Sequence, residues 1–242
     1  MKKTIQLLLL TLFISLSTLA QNKEHLSGFT SISLTYKPHK NWYGYLETQG
    51  RSIADFNTID YYEIKGGAGY NLNANNQAFI GLGRYATYTE NKLNKEELRF
   101  WLQYNYSKLV SRLKIEQRFR AEKRFFHNPI SGATTNSERF RYRLNLILPI
   151  NNSKVEAKTF FINTYDELFA TTDQPTISRN RMYLGGGYQL NKTFGASLGY
   201  LFQREFGATS NSNFHFIFCG LNFTIDTTKK EAPTHVPSPD HD

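Results

Sequence analysis

Between residues 95 and 150 apolar and polar positions alternate with a period of two, the spacing of a β-strand whose faces meet different solvents. Leu98, Phe100, Leu102, Tyr104 and Tyr106 form one side of the first run, with Glu97, Arg99, Trp101, Gln103 and Asn105 on the other. The next run sets Arg112, Lys114, Glu116, Arg118, Arg120, Glu122 and Arg124 against Leu113, Ile115, Phe119 and Ala121. After a break, Arg139, Arg141 and Arg143 alternate with Phe140, Tyr142, Leu144, Leu146 and Leu148, now with the opposite sequence parity. A slip of one residue would turn charges onto the apolar side, so the register is strongly specified.

Read in the same way, the chain predicts strands at 29–37, 41–51, 58–70, 76–89, 95–107, 109–125, 137–150, 153–164, 179–190, 193–206 and 212–226, separated by Asn, Gly, Pro and Lys clusters. They run from nine to seventeen residues, whereas ordinary strands have about 5–6 and bilayer-crossing ones about 9–11. The prediction is an all-β fold: a single transmembrane antiparallel up-and-down β-barrel of 10–12 strands. Eleven segments are found where bacterial single-chain barrels normally have an even number. Either 29–37 stands outside the hairpin order, or a further strand lies around 160–172.

Connections at Pro38 to Lys40, Asn71 to Asn75, Ser107-Lys108, Asn151-Asn152 and Asn191-Lys192 are brief. Those at Ser52 to Asn57, Asn91 to Asn94, Phe126 to Asn136, Tyr165 to Ser178 and Gly207 to Asn211 are mostly longer, the ordering of periplasmic turns and outer loops. Tyr43, Tyr45, Tyr85, Tyr88, Phe125 and Phe206 lie near strand ends, where they would form aromatic girdles or fill the interior. Alternation alone does not orient the faces; the inverted arrangement is a soluble periplasmic barrel around an apolar ligand.

The N-terminus supplies a compartment. Met1-Lys2-Lys3 precedes an apolar run from Ile5 to Leu16, and Thr18 and Ala20 then fit a small-x-small cleavage site before Gln21. The run is shorter than the roughly 20 residues of a spanning helix. The expected organisation is a cleaved signal peptide over 1–20, a barrel over 21–226 and a polar, Pro-rich tail over 227–242, with the protein in the cell outer membrane of a Gram-negative bacterium. Outer-membrane lipids are the expected partners, and the barrel-assembly machinery during biogenesis.

Charge changes this picture little. The chain has 29 Lys and Arg against 20 Asp and Glu; without Lys2 and Lys3 the balance is 27 against 20, or +7. The basic residues alternate along strands instead of clustering on one helix, so the excess belongs to a wall or lumen and not to nucleic acid. Cys219 is the single cysteine, which leaves no disulfide framework or cysteine-rich metal site within the chain.

In a barrel of this size the charged face points into an interior just wide enough for side chains or one small ligand. The candidate lumen charge network is Glu97, Arg99, Arg112, Glu116, Arg118, Arg120, Glu122, Arg139, Arg141 and Arg143. Its first reading is structural: Glu97, Glu116 and Glu122 pair with arginines across neighbouring strands. Its second is a narrow anion-favouring channel or conduit for a small anionic solute, because arginine outnumbers acid. A third is a lipid-modifying enzyme, for which His127 and His215 are available, but there is no Gly-x-Ser-x-Gly elbow or His-Glu-x-x-His pair. No catalytic residue, metal ligand or cofactor is assigned. Gly185-Gly186-Gly187 and Gly81 with Gly83 read as sites of bending or close approach within strands, not as phosphate loops.

Several short pieces resemble a family of uncharacterised outer-membrane β-barrel proteins, a domain of unknown function. They are Glu47-x-Gln49-x-Arg51, Glu97-Leu98-Arg99-Phe100-Trp101, Arg112-x-x-x-Glu116-Gln117-Arg118, Arg139-Phe140-Arg141-Tyr142-Arg143, Asp166-Glu167-Leu168 and Gly199-Tyr200-Leu201-x-Gln203. Where such relatives often open with tryptophan this chain has Phe29. The resemblance implies fold and location and no activity.

Overall fold

A computed structural model describes residues 26–228 apart from 53–55, 57, 173 and 208–209. The expected signal peptide and all but the first two residues of the expected tail lie outside the described residues.

Among the described residues eleven strands form one closed barrel: β1 (Leu26–Lys37), β2 (Trp42–Arg51), β3 (Tyr61–Asn71), β4 (Asn76–Thr89), β5 (Lys92–Val110), β6 (Leu113–His127), β7 (Thr134–Pro149), β8 (Thr159–Thr171), β9 (Gln174–Gln189), β10 (Phe194–Phe206) and β11 (Asn211–Asp226). Each neighbouring pair in sequence is antiparallel, and the barrel closes where β1 runs parallel to β11, from Leu26 opposite His215 to Lys37 opposite Asp226. That seam accounts for the odd number. An up-and-down barrel with an odd count brings its first and last strands together in the same direction, and closure leaves no unpaired edge. The segment 29–37 therefore belongs to the barrel, and 160–172 lies largely within β8 instead of adding a strand.

Alternation sets the two faces as the charged runs require. Ser31, Glu47, Glu63, Arg99, Arg118, Arg141, Glu167 and Arg181 are buried inside. Their sequence neighbours Ile32, Leu46, Ile64, Leu98, Phe119, Phe140, Leu168 and Met182 point outward; Ile32, Leu46, Ile64, Phe119, Phe140 and Met182 are about half exposed. The charges are inside, which overturns the inverted, apolar-inward arrangement. The two-residue turn at 111–112, with Ser111 at φ 55°, carries the parity change between β5 and β6, whereas between β4 and β5, where Glu90 and Asn91 take φ 50° and 61°, a register shift at Thr87/Tyr88 keeps odd-numbered residues inward on both strands. Positive φ at both central residues is the geometry whose twist matches a hairpin.

The connections differ from expectation in one respect. At the end where β1 turns into β2 they are 38–41, 72–75, 111–112, 150–158 and 190–193; at the opposite end they are 52–60, 90–91, 128–133, 172–173 and 207–210. The two ends match in length. The expected strand at 153–164 starts at Thr159 and continues to Thr171, so the predicted long loop at 165–178 shrinks while the predicted short turn at 151–152 grows. Likewise Ser107 and Lys108 lie within β5 and not in a turn.

The interior is filled by interlocking large and absent side chains. A Cβ on Gly81 would lie 2.2 Å from the Trp101 ring, and one on Gly69 would lie 2.1 Å from the Tyr43 ring. These glycines are the holes that accept the two rings, and Phe79 stacks between Tyr43 and Trp101 at 6.0 and 6.3 Å. On the far wall Phe29, Tyr165, Tyr183, Leu201, Phe216 and Phe218 make a second cluster. Tyr43 and Tyr85 thus fill the lumen and form no girdle, whereas Phe125 faces outward.

Candidate functional site

The lumen charges stand in rows, because register places them opposite one another. Arg118 on β6 faces Arg143 on β7, which faces Glu167 on β8, which faces Arg181 on β9. One step along, Arg120 faces Arg141 and Arg141 faces Phe169. Like charges directly opposite are destabilising in a sheet, so these two rows of β6 and β7 do not neutralise themselves. Their acids come from the next row, where Glu122 faces Arg139, and from beyond β7.

Glu122 is directly opposite Arg139 and diagonal to Arg141. Arg139 Nε donates to its Oε2 at 2.6 Å and Arg141 Nη1 to its Oε1 at 3.0 Å, with Arg120 at 3.7 Å and Arg99 at 4.0 Å. Glu167 is the acid beyond β7: it accepts from Arg118 Nη2 at 2.6 Å and from Arg141 Nε and Nη2 at 3.0 Å each. Arg141 therefore bridges both carboxylates through a planar fork with several donors. Glu97 accepts from Arg99 at 2.8 Å and Arg124 at 2.7 Å. Glu116 accepts from Asn145 at 2.8 Å and pairs with Lys114 at 2.7 Å. Arg120 donates to Gln103 at 2.8 Å, and Arg143 lies 5.2 Å from the centre of the Tyr165 ring.

One predicted member is elsewhere. Arg112 sits in the β5–β6 turn and donates to the carbonyls of Pro149, Ile150 and Asn152 at 2.6–2.8 Å. β6 begins at Leu113, one residue later than the sequence run suggests, and the Arg112 side chain ties down the 150–158 connection instead of entering the network.

Other members escaped the sequence reading. Glu47 on β2 takes Ser31 Oγ at 2.9 Å and faces Lys65 Nζ at 3.7 Å; Glu63 takes Lys65 at 2.6 Å and Arg51 at 3.2 Å. Arg181 donates to Gln203 at 2.6 and 3.0 Å. Phe169 lies among arginines, with Arg141 at 4.6 Å and Arg139, Arg181 and Arg179 between 5.2 and 5.4 Å from its ring centre. The quadrupole of its face is attractive to cations. The available signal for Glu167 was the alternation Thr159, Phe161, Asn163, Tyr165, Glu167, Phe169, all of which point inward.

Glu47, Lys65, Arg118, Arg141, Glu167 and Arg181 are each at most 5% exposed and occupy the middle of the barrel. On one side lies a cavity of about 710 Å³ at the β1–β2 turn end; on the other a cavity of about 210 Å³ lined by Arg51, Tyr61, Arg99, Arg179 and Glu205. His215 is on the outer face, hydrogen-bonded to Tyr200. Among the described residues no three His, Cys, Asp or Glu side chains converge in a way that would hold a metal ion.

A comparison with curated proteins finds no match. Among solved structures, a NanC porin in a rhombohedral crystal form is similar at 13% identity with a TM-score of 0.44, over 82% of this chain and 98% of that one. The model of one family, described as "Protein of unknown function (DUF2490)", matches residues 26–214, and the chain belongs to that family.

Proposed function

We propose that this protein is an outer-membrane β-barrel with a structural or interaction role and no catalytic activity, whose lumen is held closed by its own arginine and glutamate side chains. Its partners on this reading are the outer-membrane lipids and, during biogenesis, the barrel-assembly machinery. Support for the location comes from the outer face and the strand lengths. Ile80, Leu82, Leu102, Phe140, Leu184 and Leu198 project outward, between 55% and 64% exposed. The strands run from 10 to 19 residues, enough to cross a bilayer with about 9–11 and continue beyond it. The export signal read at 1–20 agrees with that destination.

The observation that carries the closed lumen is the bridge from Glu122 through Arg141 to Glu167, three side chains with no exposed surface in the middle of the barrel. A fixed conduit would need water along its axis, and here charged side chains satisfy one another in its place. The test is planar-bilayer recording of the purified protein, alongside separation of inner and outer membranes. Silence at all voltages, with the protein in the outer-membrane fraction, is expected; steady conductance would overturn the closed lumen.

A second reading, a narrow anion-favouring channel, is favoured by a specific imbalance. Among the described residues nine Lys and Arg side chains are buried against six Glu. On that reading the recordings would carry anion-selective current that weakens when Arg118, Arg141 and Arg143 become Gln.

A further inference from the structure

The cavity at the β1–β2 turn end is built differently from the charged middle. Its volume of about 710 Å³ falls within the roughly 300–1,000 Å³ of small-molecule sites. Lys37, Lys40, Lys108, Arg112, Lys114 and Lys154 line it, against the single carboxylate of Asp226. Lys114 is paired with Glu116 and Arg112 with backbone carbonyls, so these two are held in place; Lys154 stands 3.8 Å from Glu156 and is 61% exposed.

Deeper in, the lining turns neutral and polar, with Gln77, Asn163, Gln189 and Ser197 beside the flat walls of Tyr43 and Phe161. Gln77 and Gln189 are engaged: Gln77 Nε2 donates to Asn71 Oδ1 and Gln189 Nε2 to the Asn191 carbonyl, both at 2.7 Å. Asn163 and Ser197 are 5% and 9% exposed, and Asn163 Oδ1 and Ser197 Oγ have no hydrogen-bond partner. A buried polar atom without a partner costs about 1–3 kcal/mol and calls for an explanation.

We infer that this cavity binds a small organic anion bearing hydroxyl groups, of the chemical class of a sugar phosphate. The deep groups decide the hydroxyls. Asn163 Oδ1 can only accept, and a bare phosphate offers mainly acceptors, whereas a sugar hydroxyl donates to Asn163 and exchanges with Ser197. The mouth decides the charge, since its cations outnumber its one acid. The inference goes beyond the closed lumen and is independent of whether the lumen conducts.

The test uses the full chain in detergent and calorimetric titration with glucose 6-phosphate, glucose and inorganic phosphate. Glucose 6-phosphate is expected to bind at least about tenfold more tightly than either half. Lys40→Gln combined with Lys154→Gln, both at the rim, should weaken it toward glucose, and Asn163→Leu should weaken it toward phosphate. Folding of each variant is checked by its heat-dependent gel shift, and Ser197→Ala replaces Asn163→Leu if the latter does not fold. The inference is overturned if glucose 6-phosphate does not bind, if phosphate or glucose alone binds as tightly, or if none of these variants changes its affinity.

Discussion

Arg118 on β6 reaches past β7 to Glu167 on β8, with Nη2 2.6 Å from Oε1 and the side chains 5% and 0% exposed. Arg141 donates to the same carboxylate, so one acid on β8 compensates cations from two strands. Glu167→Gln leaves both guanidinium groups short of charge in the lumen, a change that costs about 3–5 kcal/mol when one partner of a buried pair is lost. The expected outcome is a lower urea midpoint, followed by tryptophan fluorescence in detergent. Glu138→Gln is the control: its pair with Lys123 is 46% and 39% exposed, and its midpoint should stay at the wild-type value. Equal midpoints for both variants would mean that the lumen is wet enough to screen its charges.

The ring of Trp101 occupies the space that a side chain on Gly81 would take. Gly81→Ala forces the ring or the strand to move, and overpacking of this kind costs about 1–3 kcal/mol. Trp101→Leu should relieve much of that penalty, so the double variant is expected to be more stable than the sum of the single changes predicts. Denaturant midpoints of the four proteins measure the coupling. Strict additivity would show that Trp101 does not sit in the hole left by Gly81.

The fold was legible where one face was wholly charged. Arg118, Arg120 and Glu122 against Phe119 and Ala121 set both strand and register, and that stretch is β6 in the structure. Legibility failed where inward positions are mixed. In β8 the inward side reads Thr159, Phe161, Asn163, Tyr165, Glu167 and Phe169, a polar and aromatic sequence that does not contrast with its outward neighbours. The sequence pattern therefore places this strand at 153–164 and Glu167 in a loop. The pairing pattern was illegible for a second reason. Alternation gives the face of each arginine but not its row, and register sets Arg118 opposite Arg143 and Arg120 opposite Arg141. The compensating acids then come from the neighbouring row, as Glu122 does for Arg141, or from across an intervening strand, as Glu167 does for Arg118.

Arg112 separates a loop role from a lumen role. Its guanidinium holds three carbonyls of the 149–152 stretch, and hydrogen bonds from a charged group contribute about 1.5–3 kcal/mol when shielded, less at an exposed turn. Arg112→Ala is expected to raise the rate of proteolytic cleavage within 150–158 several-fold, while the urea midpoint moves by less than that of Glu167→Gln. A change in bilayer conductance without faster cleavage would return Arg112 to the lumen.

The parallel seam makes the most specific prediction, because the only cysteine lies on it. Cys219 on β11 faces Thr30 on β1, and both are exposed on the outer face. Neighbouring strands lie about 4.7–4.9 Å apart, within the Cα separation of about 4.4–6.8 Å that a disulfide tolerates. Thr30→Cys should therefore cross-link to Cys219 under mild oxidation, and the unfolded, unreduced chain should migrate faster on a denaturing gel than the reduced one. Ile32→Cys is opposite Leu221, a further two residues along, which places it outside that reach. Cross-linking by Ile32→Cys alone would indicate a register shifted by two. Failure of both would mean that β1 and β11 do not meet in parallel, and an eleven-stranded barrel could not then close.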